Sequence, residues 1–241
     1  MSSDFIQTLW LSAKLALFTT GILFVIGIPL AYYLTYSKLR IKIVFQTMVS
    51  MPLVLPPSVL GFYLLLAFSQ NYWFGNFLNE YFNIQLAFSF LGILLASVIF
   101  NLPFMVNAIQ NGFSNLPISL KDAAYTLGKS RFTTIFKVLL PNIKPAILTG
   151  LCLTFAHSIG EFGVILMVGG NIPEKTRVAS LAVYDEVQAL NFDAANKYAL
   201  FLFIISFTIL FVVYSINREY STWKKYNRHR CKKENSYRKW Q

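Results

Sequence analysis

Apolar residues run in long blocks along this chain, and polar ones gather between the blocks. Residues 15–36, 43–69, 86–110 and 198–217 form four such blocks, each long enough to cross a bilayer, for which about 18 predominantly apolar residues suffice. A fifth, 145–170, has the same character with one acidic interruption at Glu161. Residues 81–120 carry no Asp, Glu, Lys or Arg. The pattern predicts an all-α, polytopic membrane protein of about five transmembrane helices. Pro52, Pro56 and Pro57 cannot donate backbone hydrogen bonds, so they disrupt the second block near its start. Two readings of them stand. Either they sit at the cytoplasmic interface and start the helix, or they make a bend that lines a pore with Ser58 and Gly61, because non-helical backbone at membrane depth needs protein or water around it.

A compact polar module, DAAYTLGKSRFTTIFKVLLP at 122–141, separates the third apolar block from the next. Ser119 followed three residues later by Asp122 fits a helix-start pattern, and Pro117 keeps the preceding span from running straight through. Gly128 suits a left-handed helix stop. The predicted helix has about two turns, roughly 12 Å, too short to persist alone in water. It therefore needs a surface. Ala123 and Ala124 let another backbone approach, and Tyr125 and Leu127 offer apolar contact. Ser130 can cap a second helix carrying Phe132, Ile135, Phe136, Leu139 and Leu140, which Pro141 and Pro145 bend towards the membrane. On residues alone, a docking helix and an amphipathic helix lying on the bilayer fit equally.

Composition and charge narrow the picture. Charged residues make up 13% and hydrophobic ones 56% of the chain, against about 25% charged in a soluble domain. The longest polar connections, 111–144 and 171–197, and the tail are too short for a nucleotide-binding domain. Neither GxxxxGK[ST] nor GxGxxG occurs, so any ATP is bound by another chain. Cys152 falls in an apolar block and Cys231 in the tail, which disfavours a bridge; there is no CxxC. His157 and His229 are the two histidines, too far apart in sequence to suggest a metal site. Of the 21 Lys and Arg residues, 17 fall in the loop 38–42, the module 121–144 and the tail after 217. Basic residues stay on the cytoplasmic side, which puts the amino terminus outside and the carboxyl terminus in the cytoplasm. The first block reads as a retained helix rather than a cleaved signal: Asp4 precedes it and the basic cluster follows it. The tail 218–241 suits anionic lipids or a nucleic acid; the reading adopted is a lipid anchor, with no nucleic-acid partner and a single transmembrane domain over 1–217.

The spacing Asp122-Ala123-Ala124, three residues, Gly128, nine residues, Val138, one residue, Leu140-Pro141 resembles the EAA loop of ABC-importer permeases. Asp stands for the usual Glu and Val for Ile. The segments MPLVLPPSVLGFYLLL (51–66), AHSIGEFGVILMVGGNIP (156–173) and TRVASLAVY (176–184) are similar to molybdate permeases and their sulfate/thiosulfate and tungstate kin. The resemblance implies a type I ABC importer permease fold in a bacterial plasma membrane. It implies a homodimer, two cytoplasmic ABC ATPase subunits and an extracytoplasmic oxyanion-binding protein. It implies a transport subunit rather than an enzyme, with no cofactor of its own, ATP and Mg²⁺ being held by the ATPase. The coupling loop 117–141, with Ser119, Asp122, Ala123, Ala124, Leu127, Gly128, Leu140 and Pro141, would receive the ATPase.

Pro56, Pro57, Ser58, Gly61, His157 and Glu161 are the candidate pore or gate residues. An ionisable residue within a span is a functional candidate, and His157 precedes Glu161 by four, so a continuous helix would put both on one face. A proton relay, or a carboxylate satisfying backbone amides where Gly160 and Gly163 loosen the helix, both fit. Repulsion between a carboxylate and a dianion argues for a structural or gate role over substrate contact. Thr176 and Arg177 either receive an anion or solvate a loop. An ion-coupled secondary transporter would show internal repeats and more buried ionisable groups, and a membrane enzyme would need a fuller set of convergent groups.

Overall fold

The structure, a computed structural model, describes residues 3–237, with side chains over 4–215. All regular structure among the described residues is helical. Helix α1 spans Ser3–Tyr36. Then α2 (Lys42–Ser50) runs into a 3-10 turn, Met51–Leu53, before α3 (Pro57–Phe68). Next come α4 (Trp73–Phe82) and α5 (Phe90–Ser114), followed by α6 (Ile118–Thr126) and α7 (Arg131–Thr133). A π-helical turn, Thr134–Leu139, leads to α8 (Leu140–Asn142) and α9 (Lys144–Gly160). The chain ends with α10 (Gly163–Gly169), α11 (Ala179–Gln188) and α12 (Phe192–Tyr237).

Three helices are long and apolar enough to cross a membrane unbroken: residues Asp4–Tyr36 of α1, α5, and residues Phe192–Ser215 of α12. Two further candidate spans are bent pairs. Lys42–Leu53 and Pro57–Phe68 meet at 111°, and Arg131–Asn142 and Lys144–Gly160 at 77°. The first bend is the disruption that the prolines predict near the start of the block 43–69. Pro57 pushes the residue before it into extended backbone, and Pro56 duly sits at φ −54°, ψ 134°. At 1.5 Å per residue, α3 is about 18 Å long, short of the roughly 30 Å hydrocarbon core. The block 145–170 is likewise not one helix. It stops at Gly160, Glu161 is extended at φ −65°, ψ 129°, and α10 restarts at Gly163. The tail 218–241, expected to be a lipid anchor, lies outside the residues whose side chains are described.

Two apolar clusters stack along α5. One joins Ile93, Leu94, Ala96 and Phe100 to Leu15, Phe68, Val164, Ile165 and Val168. The other joins Met105, Val106, Ile109 and Phe113 to Leu23, Ala31, Leu34, Val49, Leu139 and Ile143. Helix α5 is thus the buried axis, with α1, α9 and α10 packed around it. Its start is fixed locally: Ser89 Oγ accepts from the Gly92 amide at 3.1 Å. Ser97 and Asn101, both fully buried, fall at the seam between the clusters, where an apolar helix has no local use for them.

Candidate functional site

The two unwound segments touch. A Cβ on Gly163 would lie 2.9 Å from the Pro57 Cβ, so the break before α3 and the break before α10 share one place. An open cleft of about 590 Å³ lies there, lined by Pro57, Ser58, Phe100, His157, Glu161 and Gly163 among others. Its depth follows from α5. That helix is about 37 Å long at 1.5 Å per residue, with Asn101 about 16 Å from its start, near the middle of the helix. Pro56 makes the turn, while Pro57 and Ser58 line the cleft. Gly61 does not line it: it is buried in the contact between α3 and α10, where a Cβ would come within 2.8 Å of Met167 Cβ.

Glu161 and His157 do not pair directly, contrary to the shared-face expectation. The helix ends at Gly160, which frees the Glu161 carboxylate to turn towards α5. There Oε2 accepts from Ser97 Oγ at 2.8 Å and from Asn101 Nδ2 at 3.0 Å. Asn101 Oδ1 lies 2.9 Å from His157 Nδ1. Asn101 therefore stands between the two ionisable groups and bonds to both. Glu161 is 4% exposed, and its second oxygen, Oε1, is buried without a partner among the described residues. The broken backbone is held too, Ser180 Oγ donating to the Glu161 carbonyl at 2.6 Å. Sequence reasoning missed Ser97 and Asn101. The available signal was two polar residues four apart, on one helix face, in a block otherwise free of charge.

The polar module forms a short helix, α6, as expected, but with a different start. Pro117 is the N-cap, in extended backbone at φ −61°, ψ 133°, with no side-chain cap bond. Ser119 lies inside the helix rather than capping it, because proline already fixes the non-helical entry one residue before Ile118. The stop is as the glycine predicted. Gly128 sits at φ +71°, its amide bonds Tyr125 O at 2.9 Å, and the Lys129 amide reaches Ala124 O at 3.1 Å. These are the two bonds of a Schellman end. Ser130 Oγ accepts from the Thr133 amide at 3.2 Å, the predicted second cap. The π-helical turn that follows was not foreseen.

Ala124 is buried and Ala123 is exposed, along with Asp122. Ile118 and Leu127 are each 75% exposed and Phe132 71%, so the module presents apolar side chains outward. Behind them, Leu139 is fully buried, while Leu140 and Pro141 are half-buried. Lys121 places Nζ 4.1 Å from the Tyr36 ring centre, tying α6 to the end of α1. Such a contact is worth about 0.5–1 kcal/mol at an exposed site.

On the 171–197 connection, Thr176 is fully buried. Its hydroxyl donates to Gly169 O at 2.7 Å and accepts from the Ile172 amide at 2.9 Å. Arg177 is surrounded by Asp4, Asp185 and Glu186 at 3.3 to 3.6 Å. Both residues are committed to holding the loop, which removes the anion-receiving reading. Among the described residues, no three His, Cys, Asp or Glu gather as metal ligands would.

Residues 6–221 match the family described as binding-protein-dependent transport system inner membrane component. The chain is 39% identical over 219 residues to the molybdenum transport system permease protein ModB of Azotobacter vinelandii, covering 90% of this chain and 96% of that one. It is 32% identical over 196 residues to the sulfate transport system permease protein CysT of Salmonella typhimurium, covering 81% and 70%. The fold superposes with a TM-score of 0.75 on the crystal structure of a bacterial ABC transporter involved in import of the acidic polysaccharide alginate. That match has 18% identity and covers 91% of this chain and 80% of the other.

Proposed function

The chain belongs to the family of binding-protein-dependent transport system inner membrane components, and from that premise we propose that it carries molybdate through the membrane as one half of a homodimeric pore. Family membership makes it the non-catalytic membrane subunit of an ABC importer for oxyanions, working with ATPase subunits and a binding protein. Molybdate rests on one observation: 39% identity that runs over 96% of a molybdenum permease. The sulfate permeases, at 32% over 70% of their length, support sulfate as the second reading.

The mechanism we infer starts at α6. Its exposed Ile118 and Leu127, with Asp122 and Ala123 beside them, form the face for a cytoplasmic ATPase. Ser119 lies on the same helix, and the Gly128 end fixes where that helix stops. Closure of the ATPase dimer on ATP would move the two α6 helices together. The push passes along a continuous path: α6 packs on the π-helical turn, whose Leu139 is in the inner apolar cluster. Leu140 and Pro141 carry the chain on to α9. Helix α9 is about 25 Å long and ends at the cleft between the two breaks. Packed elements with two discrete arrangements can transmit such a shift. Pro56, Pro57 and Ser58 with His157 and Glu161 would then form the gate, and Gly61 the close packing behind it.

The test is uptake of radiolabelled molybdate into vesicles holding the chain, its ATPase and its binding protein. Uptake should require ATP and be competed by tungstate more strongly than by sulfate. Uptake of sulfate that excess molybdate leaves untouched would replace molybdate with the second reading.

A further inference from the structure

The bonds under the cleft determine which nitrogen of His157 carries hydrogen. Asn101 Nδ2 lies 2.9 Å from Ser97 O, 3.2 Å from Ser97 Oγ and 3.0 Å from Glu161 Oε2. A carbonyl and an ionised carboxylate only accept, so the amide nitrogen of Asn101 must occupy that side. Its Oδ1 must then face His157, 2.9 Å from Nδ1. An amide oxygen only accepts as well, so Nδ1 is the protonated nitrogen. Nε2 is left with a lone pair in the neutral ring, or with an N–H in the imidazolium. No hydrogen bond to Nε2 is formed among the described residues, and His157 lines the cleft.

An anion held beside Nε2 would itself favour the imidazolium. The ring lies 4.2 Å from the centre of Phe104 and 5.4 Å from that of Phe100, and aromatic faces attract cations. The Glu161 carboxylate stands one amide behind it. The other charged groups on the packed elements are turned away or engaged: Lys14 of α1 over Phe90, and Asp4, Asp185 and Glu186 on Arg177. Asp193 and Lys197 of α12 are exposed, and α3 and α10 carry no charge.

We propose that His157 is the oxyanion contact of the pore: as an imidazolium it donates Nε2–H to the passing anion, and Glu161, acting through Asn101, is the residue that positions and charges it. The proton comes from water in the cleft and returns there when the anion leaves. This reconciles a buried carboxylate with an anionic cargo, because the Glu161 carboxylate is held against Ser97 and Asn101, which leaves His157 Nε2 to meet the anion. The inference rests on the oxyanion reading above.

Two substitutions separate this role from a structural one. In His157→Asn, the short amide can replace Nδ1 and keep the bond to Asn101, but nothing reaches the Nε2 position. In His157→Gln, the longer amide puts an N–H near Nε2 and gives up the Asn101 bond. In vesicles of the full complex, His157→Asn is expected to raise the apparent KM for molybdate by about tenfold or more, with His157→Gln much closer to wild type. Glu161→Gln is expected to raise KM in the wild-type background and to add little to His157→Gln, whose amide needs no charge behind it. Wild-type KM in His157→Asn, or better transport by it than by His157→Gln, overturns the proposal.

A measurement without variants stands beside these. With ¹⁵N-histidine, the complex gives signals from His157 and His229 alone, apart from its partner chains, which are left unlabelled. Saturating molybdate should convert one Nε2 resonance from unprotonated to protonated, and no change on adding it overturns the proposal. Wild-type vesicles that take up neither molybdate nor sulfate would sink the oxyanion reading itself. Uptake in wild type matched by His157→Asn would sink only the assignment of His157.

Discussion

Asn101 joins three groups that the chain brings from separate places: the Ser97 backbone, the Glu161 carboxylate and the His157 ring. Replacing it with Leu keeps the volume, leaves His157 Nδ1 without its partner and leaves Glu161 with Ser97 as its one donor. A buried polar group left without its partner costs about 1–3 kcal/mol, and more if charged. Asn101→Leu is therefore expected to lower the Tm of the detergent-solubilised complex by more than Ser97→Ala, which removes one of the two donors to Glu161. Equal losses in thermal unfolding would mean that Asn101 is not the link. Gly128 is a different kind of residue. Nothing lies within 4 Å of a Cβ placed there, yet its φ is +71°, so Gly128→Ala isolates the left-handed penalty of about 1–2 kcal/mol. Gly128→Leu should leave insertion and dimer assembly intact while raising the ATP hydrolysed per anion transported. Wild-type stoichiometry in that variant would count against α6 as the lever.

At the scale of elements, local signals were readable and distant ones were not. The Gly128 stop and the Ser130 cap each depend on residues within five positions, and both form. Ser119 failed as a cap for an equally local reason, since Pro117 holds the extended entry ahead of it. The five apolar blocks were legible because burial in lipid demands them. The prolines at 52, 56 and 57 and the glycines at 160 and 163 marked where two of them break; what did not show was that the breaks meet. That depends on the pairing of Glu161 with Asn101, 60 residues earlier, and on Gly163 against Pro57, neither of which leaves a periodic trace. Gly163→Ala tests the meeting point directly. Its Cβ would sit 2.9 Å from Pro57 Cβ, and overpacking of this kind costs about 1–3 kcal/mol. The expected outcome is a lower Tm and slower uptake, with dimer and ATPase still co-purifying. Unchanged uptake and Tm would show that the two breaks are free to separate.

Across the whole molecule, the exposed face of α6 and the cleft lie at opposite ends of one packed path, and the surface where that path begins can be broken without touching the rest. Leu127 is 75% exposed on α6, one residue before the Gly128 stop, so its side chain contributes little to the helix or the core. A charge at Leu127 leaves the fold of this chain unburdened, yet a carboxylate placed in an apolar contact must be desolvated without a partner, which costs several kcal/mol. Each 1.4 kcal/mol is a tenfold loss of affinity. Leu127→Glu is therefore expected to leave membrane insertion and Tm near wild type while the ATPase no longer co-elutes and uptake stops. Lys121→Ala makes the useful contrast. It frees α6 from Tyr36 without altering the outward face, so the ATPase should stay bound while less of its motion reaches α9, and uptake should fall with hydrolysis preserved. If Leu127→Glu retained the ATPase at wild-type levels, the outward face of α6 would not be the docking surface, and the path from it to the cleft would lose its starting point.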